Sequence, residues 1–158
     1  MRLVHYTNRP LPELELRTIA DSADCFRKPR GLWVSDDDCE ENWREWCLSE
    51  RFGLERMTHV YDVEIADGAD VVVLRSAWDI DGFTREWGDW YEREKIRWPD
   101  VQARYQGIII TPYIWERRLD RGANWYYGWD CASGCIWDPD ALASVTLREI
   151  VPVSEPVI

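Results

Sequence analysis

The sequence is poor in most features that announce a function. It has two histidines, two methionines and three phenylalanines in 158 residues. Its five cysteines, at 25, 39, 47, 131 and 135, form no Cys-x-x-Cys knuckle of the kind that holds structural zinc, so no metal is expected. No glycine-rich phosphate loop, zinc-protease helix motif or serine-hydrolase elbow occurs. The longest aliphatic runs, Val71–Leu74 and 108–110, are far too short to span a bilayer, which argues against a membrane partner. Residues 1–10 lack the apolar stretch of a signal peptide. With an odd cysteine count, these absences favour free thiols and a cytoplasmic location. Positive charge is scarce as well. Against 30 Asp and Glu stand only 19 Lys and Arg, a net charge of −11. A broad nucleic-acid coat is therefore disfavoured, because phosphate binding needs a dense basic surface. A small local nucleotide site remains compatible.

What the chain has in excess is tryptophan, 11 of them beside 7 tyrosines, and a hydrophobic content of 46% that excludes a disordered chain. No linker, repeat or low-complexity tract divides it, so residues 1–158 read as a single domain. A chain of this length buries roughly 70% of its unfolded surface and needs neither disulfide nor metal for its core.

Periodicity predicts an α+β chain. Strands are expected at 2–6, 31–35, 58–65, Val71–Leu74, 108–113, 125–129, 135–137 and 144–151, with Asp67-Gly68 as a hairpin-type connection. A weak amphipathic helix is expected over 11–20. A better marked helix follows Asp36-Asp37-Asp38, with capping-box spacing between Asp37 and Glu40, and puts Cys39, Trp43, Trp46 and Cys47 on one face. Another is expected over 81–94, with Phe83, Trp87, Trp90 and Tyr91 in one stripe, and a short one opens at Trp98-Pro99-Asp100. Strand and helix do not alternate regularly, which disfavours a doubly wound parallel sheet.

Three stretches carry candidate chemistry. His5-Tyr6-Thr7 ends the first strand, where an imidazole can exchange a hydrogen bond with a ligand hydroxyl or serve as a half-buried structural histidine. In Gly31-Leu32-Trp33-Val34-Ser35, Trp33 could share a planar ligand with Trp43, the alternative being that both rings fill the core. Residues 125–138 pack aromatics around Asp130 and the small residues Ala132, Ser133 and Gly134, which permit close approach of a ligand or of another backbone. A tight hairpin with Gly134 at a bulge is the structural alternative. Cys131 and Cys135 have no neighbouring base in sequence, so packing is favoured over nucleophilic use.

Taken in order, these stretches resemble the ADP-ribosyltransferase fold, the NAD-binding split sheet shared by diphtheria-toxin-like and poly(ADP-ribose)-polymerase-like enzymes. The resemblance implies an ADP-ribosyltransferase-like split β-sheet with inserted helices in one domain, using NAD as substrate. His5-Tyr6-Thr7 is similar to the first motif, which holds the ribose and the nicotinamide amide. Trp33 and Ser35 are similar to the aromatic and small hydroxyl of the second, with Trp43 as the second aromatic. Ser133 stands where the third motif normally carries a glutamate, with Asp130 the nearest carboxylate. A serine there is similar to the NAD-degrading RES branch, in which Glu45 would be the matching acid. The resemblance thus implies a mono-ADP-ribosyltransferase or an NAD glycohydrolase or phosphorylase, with Ser133, Asp130 and Glu45 as catalytic candidates. His5, Tyr6, Thr7, Trp33, Ser35 and Trp43 would bind NAD. By analogy of fold, such a domain suits a toxin or a bacteriophage-encoded factor that modifies a macromolecular acceptor in its host, a protein rather than a nucleic acid.

A second expectation belongs to another class. The chain could be a noncatalytic acidic, tryptophan-rich protein that binds and inhibits a host or partner protein, with exposed tryptophans as anchors and its charge steering a basic partner. In its extreme form it would mimic DNA, but the one dense acidic run, 36–50, reads more simply as a solvated, well-capped helix face.

Overall fold

Short β-branched and alternating segments separated by turn residues place seven strands in the chain. In the computed structural model, which describes residues 1–11, 28–89 and 95–152, they are β1 (Leu3–Thr7), β2 (Leu32–Asp36), β3 (His59–Ile65), β4 (Val71–Leu74), β5 (Gly107–Ile110), β6 (Ser133–Ile136) and β7 (Leu142–Ile150). They form one mixed sheet in the order β4-β5-β6-β2-β1-β3-β7. Only β4 and β5 run parallel, and the other five pairings are antiparallel. The helices are α1 (Trp43–Glu50), α2 (Ala77–Trp87), α3 (Trp98–Arg104) and α4 (Trp115–Arg118), followed by a 3-10 segment, Arg121–Gly128, broken at Ala123. The architecture is α+β. No described helix is long and apolar enough to cross a membrane.

Two apolar clusters occupy the faces of the sheet. The larger unites Ile108 and Ile110 of β5 with Phe83 of α2, Trp98 of α3, and Trp125 and Trp129. The smaller gathers Leu3, Leu32, Val34, Val63 and Ile109, with Val71, Val73 and Val145 against it. It therefore joins strands from both ends of the sheet order. The short connection through Gly68, which turns at φ +78°, links β3 to β4 although β4 is the first strand of that order and β3 the sixth. The sheet must bend over the smaller cluster to allow it. The expected hairpin is accordingly absent: β3 takes β1 and β7 as its partners, and β4 takes β5.

Other local expectations shift for identifiable reasons. The helix after β2 begins at Trp43, not directly after Asp36-Asp37-Asp38, because the Asn42 side chain accepts from Glu45 N at 3.0 Å. Asp36 is instead the last residue of β2 and only 4% exposed. Its carboxylate accepts from Arg2 N (3.0 Å), Asp38 N (3.2 Å) and Thr111 Oγ1 (2.6 Å), so this part of the run is internal structure and not a solvated face. The helix expected over 81–94 starts earlier, at Ala77, capped by Ser76, and ends before Gly88. Trp90, Tyr91, most of the helix expected over 11–20 and Cys25 lie outside the described residues. Residues 125–129 are not a strand: Tyr126 and Trp129 turn inward in the 3-10 segment and the loop after it, where burying aromatic area outweighs strand preference. Gly134 sits in a regular ladder opposite Val34 and Ile109, not at a bulge. A Cβ there would lie 2.6 Å from Ile108 O, so the close approach it permits is that of β5.

Candidate functional site

The ladder between β1 and β2 is the shortest among the described strands, consisting of Leu3 opposite Asp36 and Val4 opposite Ser35. The sheet stays continuous in its hydrogen-bonded order, but β1 and β2 part after these two pairs and leave a seam. Beyond Val4, the His5 ring takes the place of the backbone ladder. Its Nδ1 lies 2.7 Å from Trp33 O. A carbonyl can only accept, so Nδ1 carries the proton, and in the neutral ring the acceptor lone pair falls on Nε2.

A cleft of about 360 Å³ opens at this seam. Strand alternation puts Trp33 and Ser35 of β2 on one face, and Ser133 of β6 pairs directly with Ser35. The opposite wall is brought in by two backbone bonds. Ala132 N donates to Glu41 O (2.7 Å), and Asp36 N donates to Ala132 O (3.0 Å), which fastens Asp130 and Cys131 beside the start of α1. Of the residues singled out from sequence, His5, Tyr6, Trp33, Ser35, Trp43, Asp130 and Ser133 line this cleft. Thr7 does not line it; its hydroxyl accepts from Arg9 N at 3.4 Å. Glu45 does not either, because it occupies the third position of α1 and points to solvent.

Several hydroxyls are already engaged. Ser35 Oγ accepts from Trp43 N (3.0 Å) and donates to Asp37 Oδ1 (3.0 Å), so it fixes the first turn of α1 and has no proton left for a ligand. Tyr6 Oη donates to Asp37 Oδ2 at 2.6 Å. Burial, then this carboxylate, push the Tyr6 hydroxyl well above the ordinary tyrosine range, and it stays protonated. Ser133 Oγ donates to Cys131 O (3.0 Å), which leaves its lone pairs to accept from a ligand hydroxyl. No base is bonded to it, so it is not arranged as a nucleophile. Among the described residues, Asp130 is the one carboxylate in the cleft lining.

The aromatic walls are unlike each other. Trp33 meets the Trp129 ring at 5.0 Å and 60°. Trp43 stacks on Trp46 at 5.0 Å and 13°, with Phe52 at its edge. One face of Trp43 is thus taken by the protein, as is part of Trp33.

Two further lining residues carry polar groups: Lys28, which sequence reasoning did not single out, and Cys131, for which it favoured packing. Lys28 reaches over the Trp33 ring, Nζ 5.3 Å from its centroid, and supplies a cation to a lining that also holds Asp130. Its available signal was a basic pair flanking Pro29 in an acidic chain. Cys131 also lines the cleft, but burial pushes its thiol up to about 12, so it is a thiol and not a thiolate at neutral pH. Cys47, pushed up to about 11 by burial, is equally inert. Among the described residues, no group of three or more His, Cys, Asp or Glu could hold a metal ion.

No family model, curated protein or solved structure matches this chain. The site must be read from its own geometry. That geometry offers a planar apolar wall, a hydroxyl acceptor, one carboxylate, one ammonium and a histidine held by backbone, all at a seam between strands. It suits a ligand with a flat ring, sugar-like hydroxyls and an anionic group.

Proposed function

We propose that the protein is an NAD-using enzyme of the ADP-ribosyltransferase fold, either a mono-ADP-ribosyltransferase or an NAD-degrading enzyme. The observation that carries this reading is the meeting of His5, Trp33, Asp130 and Ser133, from three distant segments, around one cleft. In this reading Trp33 holds the nicotinamide ring, with Trp43 on the far side, and His5 holds the ribose. Ser133 Oγ accepts from a ribose hydroxyl. The bond from ribose C1 to the nicotinamide nitrogen breaks and its electron pair leaves with nicotinamide. Positive charge develops on the ribose, where the Asp130 carboxylate stabilises it. The acceptor oxygen, from a protein side chain or from water, then bonds to C1, and Asp130 takes its proton. Tyr6 and Ser35 position the walls. Thr7 and Glu45 have no part, since neither reaches the cleft.

Incubation with NAD tests this directly. Nicotinamide should be released, and Asp130→Asn should slow the release about 100-fold or more. Wild-type protein that neither binds nor consumes NAD overturns the reading. Turnover undiminished in both His5→Ala and Ser133→Ala would put the chemistry at another place on the molecule.

A second reading, a noncatalytic acidic protein that captures a host or partner protein, has its own observation. Trp78 is 82% exposed and Trp115 56% exposed, an unusual outlay of indole surface. Capture of a basic partner that weakens steeply with salt and is lost in Trp78→Ala, while His5→Ala leaves it intact, would favour this reading over the enzymatic one.

A further inference from the structure

A second cavity, of about 620 Å³, shares Tyr6 with the cleft and lies between α1 and the β3–β7 edge of the sheet. In a chain of net charge −11, three guanidiniums from separate segments line it: Arg2 before β1, Arg44 on α1 and Arg148 on β7. Two of the three are committed. Arg148 makes a two-point pair with Asp62, and Arg2 lies 4.0 Å from both Asp37 and Asp38. Arg44 makes no ion pair or hydrogen bond to another described side chain, yet its charge, with that of Arg148, acts on the Tyr6 hydroxyl.

The acidic groups of the same cavity are mostly closed off. Asp37 is occupied by Tyr6 and Ser35, and Glu55 lies 3.4 Å from Arg56. Glu149 is the remaining carboxylate in the lining. Leu48, Leu54, Met57 and Val60 supply an apolar wall facing these charges. An accessible guanidinium beside such a wall suits an anion carried on an apolar body, because the fork binds carboxylate or phosphate oxygens while the body removes apolar surface from water.

We infer that this cavity is a second binding site, for a carboxylate or phosphate attached to an apolar or aromatic body, with Arg44 as the residue that grips the anion. The inference stands whether or not the cleft uses NAD. The probes are benzoate and phenyl phosphate, with benzyl alcohol and inorganic phosphate as controls, titrated into the full chain and followed by calorimetry and by the arginine side-chain NMR signals. At least one aromatic anion should bind saturably, and which of the two binds tells a carboxylate site from a phosphate site. Both controls should bind more weakly. Arg44→Gln should weaken binding about tenfold, the worth of one charge-assisted hydrogen bond. Glu149→Gln should tighten it, because the competing carboxylate is gone. Arg121→Gln, outside the lining and outside the ion pairs of its carboxylates, should leave it unchanged. The inference is overturned if neither aromatic anion saturates, or if Arg44→Gln and Glu149→Gln fail to move the affinity in opposite directions. Inorganic phosphate or benzyl alcohol binding as tightly as the aromatic anions would also overturn it.

Discussion

Two groups of tryptophans, alike in sequence, have opposite fates. Trp98, Trp125 and Trp129 are each 1% exposed and meet edge to face, Trp98 with Trp125 at 6.1 Å and 82° and Trp125 with Trp129 at 6.2 Å and 90°. The Trp125 indole nitrogen also finds a partner, Thr84 Oγ1 at 2.8 Å. Trp33 and Trp43 are half-buried at the seam between β1 and β2, where the ladder stops. The first group closes space; the second borders it. The difference lies in the backbone around each ring. Helix stripes and a 3-10 turn direct the first group to a common centre. A strand whose partner diverges leaves the second beside a gap that no described element fills.

The sharpest test of this contrast is stability. Trp125→Ala should cost about 3–5 kcal/mol in urea unfolding, since it empties a fully packed site. Trp33→Ala should cost about 1 kcal/mol or less, because its ring is already partly in water. Equal losses would erase the distinction between the two groups. Function should divide the other way. Trp33→Ala is expected to reduce nicotinamide release about 100-fold, roughly 2.7 kcal/mol of transition-state stabilisation, with a melting temperature close to wild type. Normal turnover in Trp33→Ala would make the cleft ring a mere packing residue.

A smaller effect separates the two regions by pH. The Asp81–Arg117 pair (2.7 Å) ties α2 to α4 in the aromatic half, and the Asp62–Arg148 pair ties β3 to β7 beside the second cavity. Each arginine, bonded to its aspartate, holds the carboxyl below its ordinary value of 3.8. A lowered folded value means stability that is complete above 3.8 and is lost as pH falls through the folded value. Both carboxylates are more than a third exposed, so each loss should stay near or below about 0.5 kcal/mol after screening. Hydrogen exchange at pH 6 and pH 3 should show protection falling around α2 in one case and along β7 in the other. Asp81→Asn should abolish only the first change, and a uniform loss across both halves would show that the pairs do not act locally.

Legibility from sequence followed the range of the interactions involved. The ends of β1 and β2 could be read because His5-Tyr6-Thr7 and the Gly31–Ser35 stretch carry their own punctuation. Most strands followed from β-branched runs such as Val71–Leu74. The start of α1 was not legible because it depends on which side chain reaches which orphan N–H, and Asn42 won over Asp36-Asp37-Asp38. The hairpin between β3 and β4 failed because neighbours in sequence found better partners elsewhere. The three arginines of the second cavity were unreadable as site residues, since nothing local marks which side chains meet across a fold, and the basic pair around Pro29 was the sole local mark of Lys28.

By itself, then, the sequence determined the kinds of element, the aromatic surplus, the acidic balance and the identity of several residues that come to border one cleft. Those properties rest on propensity, periodicity and composition, which act over a few residues. Tertiary structure alone decided that β1 and β2 part after two pairs, that the sheet bends until β4 at one end can be joined to β3 with four strands between them, and that one tryptophan is walled in while another is left beside an opening. Strand partnership is a competition among segments far apart in the chain, and its outcome depends on the apolar area each pairing buries.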